Sequence, residues 1–327
     1  MLDFFSNKKV LITGGTGSLG KKLIKTLQSY NSKIIVYSRD EGKQALFFGQ
    51  DDSITRVIGD VRDYRKLKTS MLLNKPDYVI HTAALKRVDD MEHHPDECVK
   101  TNITGSENVA RASLESGVDK CALISTDKAC MPVNVYGSSK FIAERIFSNY
   151  NHNSKSTRFL SVRYGNVIAS RGSFIPLWIG LIKEGKPINV TSLDCSRFLF
   201  RLDDAVNAVL NSIVYSLGGE VFVPLINSFM MESIIGAVKQ ITGAENISTN
   251  VTGMRPGEKI HEDMLSVTEL PFSFSAPCGK LIQIRPQYTK IEYQQDWVKY
   301  KGKELNSSFY INNDAAHLRS LIESGLQ

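Results

Sequence analysis

Short apolar runs and polar, helix-patterned stretches alternate through the first half of the chain. Val10-Leu11-Ile12-Thr13 reads as a strand, and the residues from 19 to 30 as the helix after it. Further strands are expected at 34–37, 56–58, 78–81, 121–125 and 159–163, with helices near 41–49, 63–72, 96–116 and 136–150 between them. Strands that are apolar on both faces and separated by helices call for a parallel sheet covered on both sides. The pattern predicts an α/β chain built on a doubly wound parallel sheet over 1–163, with ligands at the carboxyl ends of its strands. Past Tyr164 the rhythm breaks, and Gly165, Gly172, Pro176, Gly180, Gly185 and Pro187 punctuate shorter segments. A smaller C-terminal, substrate-binding domain is expected over 164–202 and 225–327. Residues 203–224 return to the main sheet as a helix at 203–216 and a strand at 220–223.

The first strand runs directly into Gly14-Gly15-Thr16-Gly17-Ser18-Leu19-Gly20. Gly14 permits a tight turn, Gly17 lets the backbone approach a pyrophosphate, and Gly20 allows close helix packing. The helix N-terminus then offers N–H donors and a positive dipole end to phosphate, so the turn reads as a dinucleotide site. At the end of the second strand stand Ser38, Arg39, Asp40 and Lys43. Arg39 and Lys43 could clamp a 2′-phosphate with Ser38 adding a hydroxyl, whereas Asp40 could hold a ribose 2′-OH. The basic pair favours NADP over NAD. Asp60 and Val61, after the third strand, are placed to reach the adenine. Thr82, Ala83 and Ala84, after the fourth, would line the cofactor, although such small residues also serve turns and close packing.

The segment 125–140 carries the reactive groups: Ser125-Thr126-Asp127-Lys128, then Tyr136 and Lys140. A Tyr and a Lys four apart on a helix share one face. The ammonium favours phenolate and lowers the tyrosine's pKa toward use as a base. Taken alone, Tyr-x-x-x-Lys is an ordinary helix-surface pair; its weight comes from the glycine turn upstream. Lys128 could serve as a base only if burial or Lys140 lowered its pKa. Asp127 and Lys128 could also simply pair in a helix-start turn.

The chain has 327 residues, 42% hydrophobic and 23% charged, which is ample for a large core. Its net charge of +6 is spread among interleaved acids and bases, with no basic stripe, so nucleic acid is not an expected partner. No apolar run approaches the ~20 residues of a membrane span, and a strand starting at Val10 leaves no room for a signal peptide. The five cysteines form no CxxC pair, which points to free thiols in a reducing, cytoplasmic setting. The six histidines show no metal-ligand spacing, and no metal site is expected.

Gly-x-x-Gly-x-x-Gly, Gly59-Asp-Val-Arg-Asp63, Ala83-Ala-Leu-Lys86, Ser125-Thr-Asp-Lys-Ala129 and Tyr136-x-x-x-Lys140 together resemble an extended short-chain dehydrogenase/reductase with a Rossmann-like fold. Two further stretches, Arg163-Tyr-Gly-Asn-Val-Ile-Ala-Ser-Arg-Gly-Ser173 and Gly253-Met-Arg-Pro-Gly-Glu-Lys-Ile-His-Glu262, narrow the likeness. Over 8–265 the chain resembles the UDP-N-acetylglucosamine 4,6-dehydratases of surface-polysaccharide synthesis. The resemblance implies UDP-N-acetylglucosamine as substrate and a homo-oligomer.

It further implies that Tyr136 takes the 4-OH proton, with Lys140 supporting it and Thr126 bonding the 4-oxygen. Lys128 would take the C5 proton, and Asp127 would protonate the leaving 6-hydroxyl. Ser125, Tyr164 and Val167 would touch the cofactor. Lys86, Asn166, Ser173, Thr191, Arg197, Arg255 and Glu258 would touch the substrate, with Arg255 on phosphate and Glu258 on ribose. Arg197 reads equally well as a surface residue. The Asp-Lys version of the motif is associated with inversion at C5. A neighbouring branch, which Leu305-Asn-Ser-Ser308 resembles, has Met in place of Tyr136, so retention and inversion both stay open. A UDP-sugar 4-epimerase would not need Asp127-Lys128, and a non-catalytic NADP(H)-binding regulator would not need Thr126, Tyr136 and Lys140.

Overall fold

Val10, Leu11 and Ile12 are completely buried, as are Val79 and Ile80 beside them, because helices cover both faces of these strands. The computed structural model describes residues 1–168, 170, 172–277, 279–286 and 297–326. Six strands, β1 (Lys9–Thr13), β2 (Lys33–Ser38), β3 (Ile54–Ile58), β4 (Tyr78–His81), β5 (Lys120–Ile124) and β6 (Arg158–Val162), pair in parallel in the order 3-2-1-4-5-6. The order reverses between β1 and β4, and the crevice above their carboxyl ends is where such sheets take a dinucleotide.

Beyond β6 the sheet continues with Val221–Pro224 in parallel, then Leu281–Ile284, Ser273–Ser275 and Val298–Lys299 antiparallel. These last three strands correct the placing of 225–327 wholly in the smaller domain. They are two to four residues long and join by antiparallel pairing, so they leave no strand–helix rhythm to read.

The helix expected over 96–116 also differs. Pro95–Cys98 leads into a π-helical stretch, Val99–Thr104, and then Gly105–Glu115. Asn102, in the widened turn, is fully buried. Its amide nitrogen donates to the Leu85 carbonyl at 2.8 Å and to Ser139 Oγ at 3.0 Å, while its oxygen accepts from Leu85 N at 2.8 Å. That pins the loop after β4 to the helix that carries Tyr136.

Helices Phe174–Lys183, Met231–Thr242 and Ala315–Leu326 enclose a second core around Trp178, Ile188, Phe229, Ile234 and Leu318. Asn166–Val167, a few residues past β6, pairs with Ser196–Phe200 and so attaches this lobe at the carboxyl edge of the main sheet. No described helix is long and apolar enough to cross a membrane, and among the described residues no group of His, Cys, Asp and Glu could hold a metal ion. Cys98, Cys121, Cys130 and Cys195 are buried free thiols; Cys278 lies outside the described residues.

Candidate active site

Gly14 adopts φ +66°, and a Cβ there would come within 2.9 Å of the Ala83 backbone. A Cβ on Gly20 would lie 2.6 Å from Gly15 Cα, so helix Ser18–Ser29 meets the turn at backbone contact. On Gly17 a Cβ would meet only the Gly14 carbonyl, at 3.3 Å. Gly17 is the helix N-cap and brings no side-chain hydrogen bond to the first turn. Thr16, Ser18 and Leu19 border the result, an open cradle at a helix N-terminus that fits a pyrophosphate. Thr82 Oγ1 donates to the Thr13 carbonyl at 2.7 Å, and Ala83 N to Thr13 Oγ1 at 3.3 Å, which ties Thr82-Ala83-Ala84 against the cradle.

At the end of β2, Asp40 caps helix Glu41–Phe48 by accepting from Lys43 N at 2.9 Å, and its carboxylate also pairs with the Lys43 ammonium. Ser38 Oγ accepts from Gln44 at 2.9 Å. Arg39 is mostly exposed and reaches Asp60 at 3.5 Å. Burial works against the charge on Asp60, but Arg62 and Arg39 outweigh it and hold the carboxyl below its ordinary range. The Val61 side chain sits in the core with Leu11, Ile35 and Tyr37, so of the two only Asp60 offers a side-chain polar group at the strand end.

Tyr136 and Lys140 lie one turn apart on helix Val135–Asn153. Burial pulls Lys140 down to about 8, with Glu144 opposing it. Burial likewise pushes the Tyr136 phenol up to about 12, against the Lys128 ammonium and the Thr126 hydroxyl. The expectation that Lys140 brings the phenol toward neutrality is therefore not met in the protein alone. Both groups are short of water, which penalises phenolate and ammonium alike.

Ser125, expected at the cofactor, places its Oγ 2.5 Å from Glu144 Oε1 instead. Glu144 pairs with the fully buried Arg163 at 2.7 Å, and Arg163 pairs with Glu269 at 3.1 Å. Thr126 caps a short 3-10 turn, Asp127–Ala129. Asp127 Oδ1 accepts from Thr126 Oγ1 at 2.8 Å, Lys128 N at 2.9 Å and Lys128 Nζ at 3.1 Å. Lys128 Nζ lies a further 3.1 Å from Glu262 Oε1. Burial opposes the ammonium, but the two carboxylates more than compensate and hold its pKa above the ordinary lysine value. The lowering of its pKa that a base role would require is therefore not met in the protein alone, because Asp127 and, from a distant segment, Glu262 both face the ammonium. Glu262 was not singled out from sequence; its one signal was its position closing the Arg-Pro-Gly-Glu-Lys-Ile-His-Glu run.

A cavity of about 240 Å³ opens beside Lys128 and brings together Asn166, Thr191, Arg197, Arg255 and Glu258, with Glu262 also in its wall. Arg197 is only 5% exposed, which removes its surface reading. It donates to Glu258 Oε1 at 3.1 Å, and Thr191 Oγ1 donates to the same oxygen at 3.0 Å. Arg255 is exposed and pairs with Asp89 at 2.6 Å. Phe174 and Trp178 add an apolar wall. Lys86 and Ser173 stand outside this lining, Lys86 exposed in the loop after β4 and Ser173 at the start of helix Phe174–Lys183. Tyr164 rests on Phe200, with ring centroids 5.9 Å apart, and its carbonyl accepts from Asp127 N at 2.9 Å. Val167 packs nearby against the cluster of Phe200 and Ala205. Ala169 and Arg171, inside the motif that starts at Arg163, lie outside the described residues.

The chain is 39% identical over 323 residues to a UDP-N-acetylglucosamine 4,6-dehydratase (inverting) of Campylobacter jejuni, covering 95% of this chain and 93% of that protein. It is 37% identical over 278 residues to a UDP-glucose 4-epimerase of Rickettsia prowazekii, covering 81% of this chain and 80% of that one. Among solved structures, Pen from Bacillus thuringiensis has a TM-score of 0.91 at 34% identity, with 98% of each chain covered. The family described as "Polysaccharide biosynthesis protein" matches over residues 10–276, so the chain belongs to that family.

Proposed function

We propose that this chain is a UDP-N-acetylglucosamine 4,6-dehydratase that inverts C5 and recycles NADP within each turnover. The observation that carries this reading is the Asp127–Lys128–Glu262 cluster, in which two buried carboxylates hold a half-buried lysine. The dehydratase relative matches more of the chain than the epimerase relative does, 95% against 81% at 39% and 37% identity, and the chemistry separates the two activities further. A 4-epimerase has no use for acid–base groups aimed at C5 and O6, whereas water loss across C5 and C6 requires them. The printed name of the Campylobacter relative, "inverting", supports the stereochemistry.

The glycine turn would hold the pyrophosphate, and Arg39 and Lys43 the 2′-phosphate. A nicotinamide held there would supply an acceptor for the C4 hydride and return it at C6. Tyr136 takes the 4-OH proton, Thr126 hydrogen-bonds the 4-oxygen, and Lys140 favours the phenolate. The 4-ketone acidifies the C5 proton. Lys128 would pass its ammonium proton to Asp127, 3.1 Å away, and take the C5 proton as the free amine, while Asp127 would protonate the departing 6-hydroxyl so that it leaves as water. C5 would then take a proton from water on the opposite face, with Lys128 returning its own proton to water, which completes the inversion. Arg255 serves the diphosphate and Glu258 the ribose, with Thr191 and Arg197 orienting Glu258 through their hydrogen bonds. Asn166, Lys86 and Ser173 complete the sugar and diphosphate contacts. The buried thiols suit a reducing cytoplasm, where we place the enzyme as a homo-oligomer.

Mass spectrometry of UDP-N-acetylglucosamine incubated with the purified protein tests the reading. Loss of one water with no added reductant is expected, with proton NMR couplings of the product showing inverted C5. An unchanged mass with a new C4 epimer would establish the epimerase instead.

A further inference from the structure

We propose that Asp89 is a gate on the diphosphate site, its carboxylate competing with the incoming phosphates for the guanidinium of Arg255. The inference rests on the reading in which Arg255 serves the diphosphate, and it adds to that site a residue of opposite charge that sets which ligands can open it.

Asp89 stands on Val88–His93, a short helix in the loop after β4, and Arg255 opens the turn that leads to Glu258. The two segments lie 166 residues apart in the chain, yet both line the cavity, and Arg255 Nη1 donates to Asp89 Oδ2 at 2.6 Å. The same short helix carries two other acids. Asp90 pairs with Arg87 at 3.0 Å, and Glu92 Oε1 accepts from Val135 N at 2.7 Å. Neither of them lines the cavity, so of the three only Asp89 meets what enters it.

That position separates two roles a carboxylate can play beside an arginine. One that merely orients the guanidinium sits behind it and leaves the donors on the ligand side open. Asp89 instead belongs to the wall of the cavity itself and takes an N–H that a phosphate oxygen would use. Carboxylate and phosphate therefore compete for one donor group.

The backbones that carry the pair are held by two adjacent residues. Asn134 Nδ2 donates to the Gly257 carbonyl at 2.7 Å, and Val135 N donates to Glu92. The side chains are not so confined, with Asp89 51% and Arg255 58% exposed. The gate opens by rotation of these two side chains, with the segments behind them in place. An ion pair this exposed is weak, and a diphosphate, with more than one negative charge, displaces a single carboxylate from it. A ligand with no phosphate has nothing to offer Arg255 and leaves the pair closed.

Calorimetry with UDP and with uridine tests the gate on the purified protein. Asp89→Ala should bind UDP about two- to fivefold more tightly than wild type, the span covered by loss of an exposed ion pair. Its affinity for uridine should stay the same. In turnover of UDP-N-acetylglucosamine, KM should fall by a similar factor, with kcat changed less than about twofold. Arg255→Ala should weaken UDP binding, and in that background Asp89→Ala should bring no further change, because the competition acts only through Arg255. Weaker UDP binding by Asp89→Ala would make Asp89 an orienting partner of Arg255, and unchanged binding would make the pair a surface contact only. Tighter binding of uridine would point to altered packing, and a gain that persists without Arg255 to plain charge repulsion. Each of these four results overturns the gate. Arg255→Ala that binds UDP as well as wild type does would sink the diphosphate reading of Arg255 itself, and the gate with it.

Discussion

Asn134 Nδ2 donates to the Gly257 carbonyl at 2.7 Å, while its Oδ1 accepts from Gly137 N at 2.7 Å. One side chain thus caps the helix that carries Tyr136 and Lys140 and also anchors the turn between Arg255 and Glu258. Gly257 has φ +75°, and a Cβ there would lie 2.8 Å from Asn134 Cβ.

Asn134→Ala should therefore cost about 1 kcal/mol of stability through the lost cap. It should also raise KM for UDP-N-acetylglucosamine more than it lowers kcat. Gly257→Ala keeps the cap but meets both the positive φ and the contact, so it should show the same KM effect. Steady-state kinetics on the two variants check this; an unchanged KM in both would disconnect the turn from substrate binding.

Gly20→Ala tests the cradle. The added Cβ meets the Gly15 backbone, which cannot swing aside as a side chain can. Overpacking of this kind costs about 1–3 kcal/mol, and it falls here on the turn proposed to hold the pyrophosphate. Calorimetry should show weakened NADP binding, with sugar-nucleotide binding largely kept.

Replacing Arg39 and Lys43 with alanine should weaken NADP far more than NAD, because only NADP carries the 2′-phosphate. A lost charge-assisted hydrogen bond costs about 1.5–3 kcal/mol. Equal weakening of both cofactors would show that these residues do not read the phosphate.

The half-reactions separate the two catalytic clusters. Tyr136→Phe removes the proposed base for the 4-OH, so neither reduced nicotinamide nor product should form. Lys128→Met keeps Tyr136, so C4 oxidation should persist and near-ultraviolet absorbance of reduced cofactor should build up. In heavy water this variant should take up no deuterium at C5. Exchange at the wild-type rate would assign the C5 proton to another group.

Glu269 couples stability to acid. Burial works against its charge, but Arg163 overcomes this and holds the carboxyl at about 2, against an ordinary 4.5. The folded state thus binds this proton less readily than the unfolded chain. The stabilisation is fully present above 4.5 and drains away as pH falls toward 2. Glu269→Gln, which breaks part of a buried ion-pair network, should cost about 3 kcal/mol near neutrality and much less at pH ~3. Denaturant melts at the two pH values decide it.

Local sequence was enough for the central sheet and the cofactor turn. Both depend on short-range chemistry: apolar runs buried on two faces, and glycines at positions where a Cβ meets backbone. The same holds for Tyr136 and Lys140, since helical spacing alone puts them on one face. Their ionisation was not legible, because burial, which depends on the whole fold, outweighs the one-turn spacing between them. Lys128 shows the limit most clearly. Sequence brings Asp127 next to it, but only folding brings Glu262 within 3.1 Å, and the two carboxylates together hold the ammonium against burial. The antiparallel strands beyond Val221–Pro224 and the π-helical turn at Asn102 escaped for a related reason. Leu281–Ile284 joins the sheet through Val221–Pro224 and Asn102 is held by Ser139, partners far along the chain, and a periodicity read along a single segment carries no record of them.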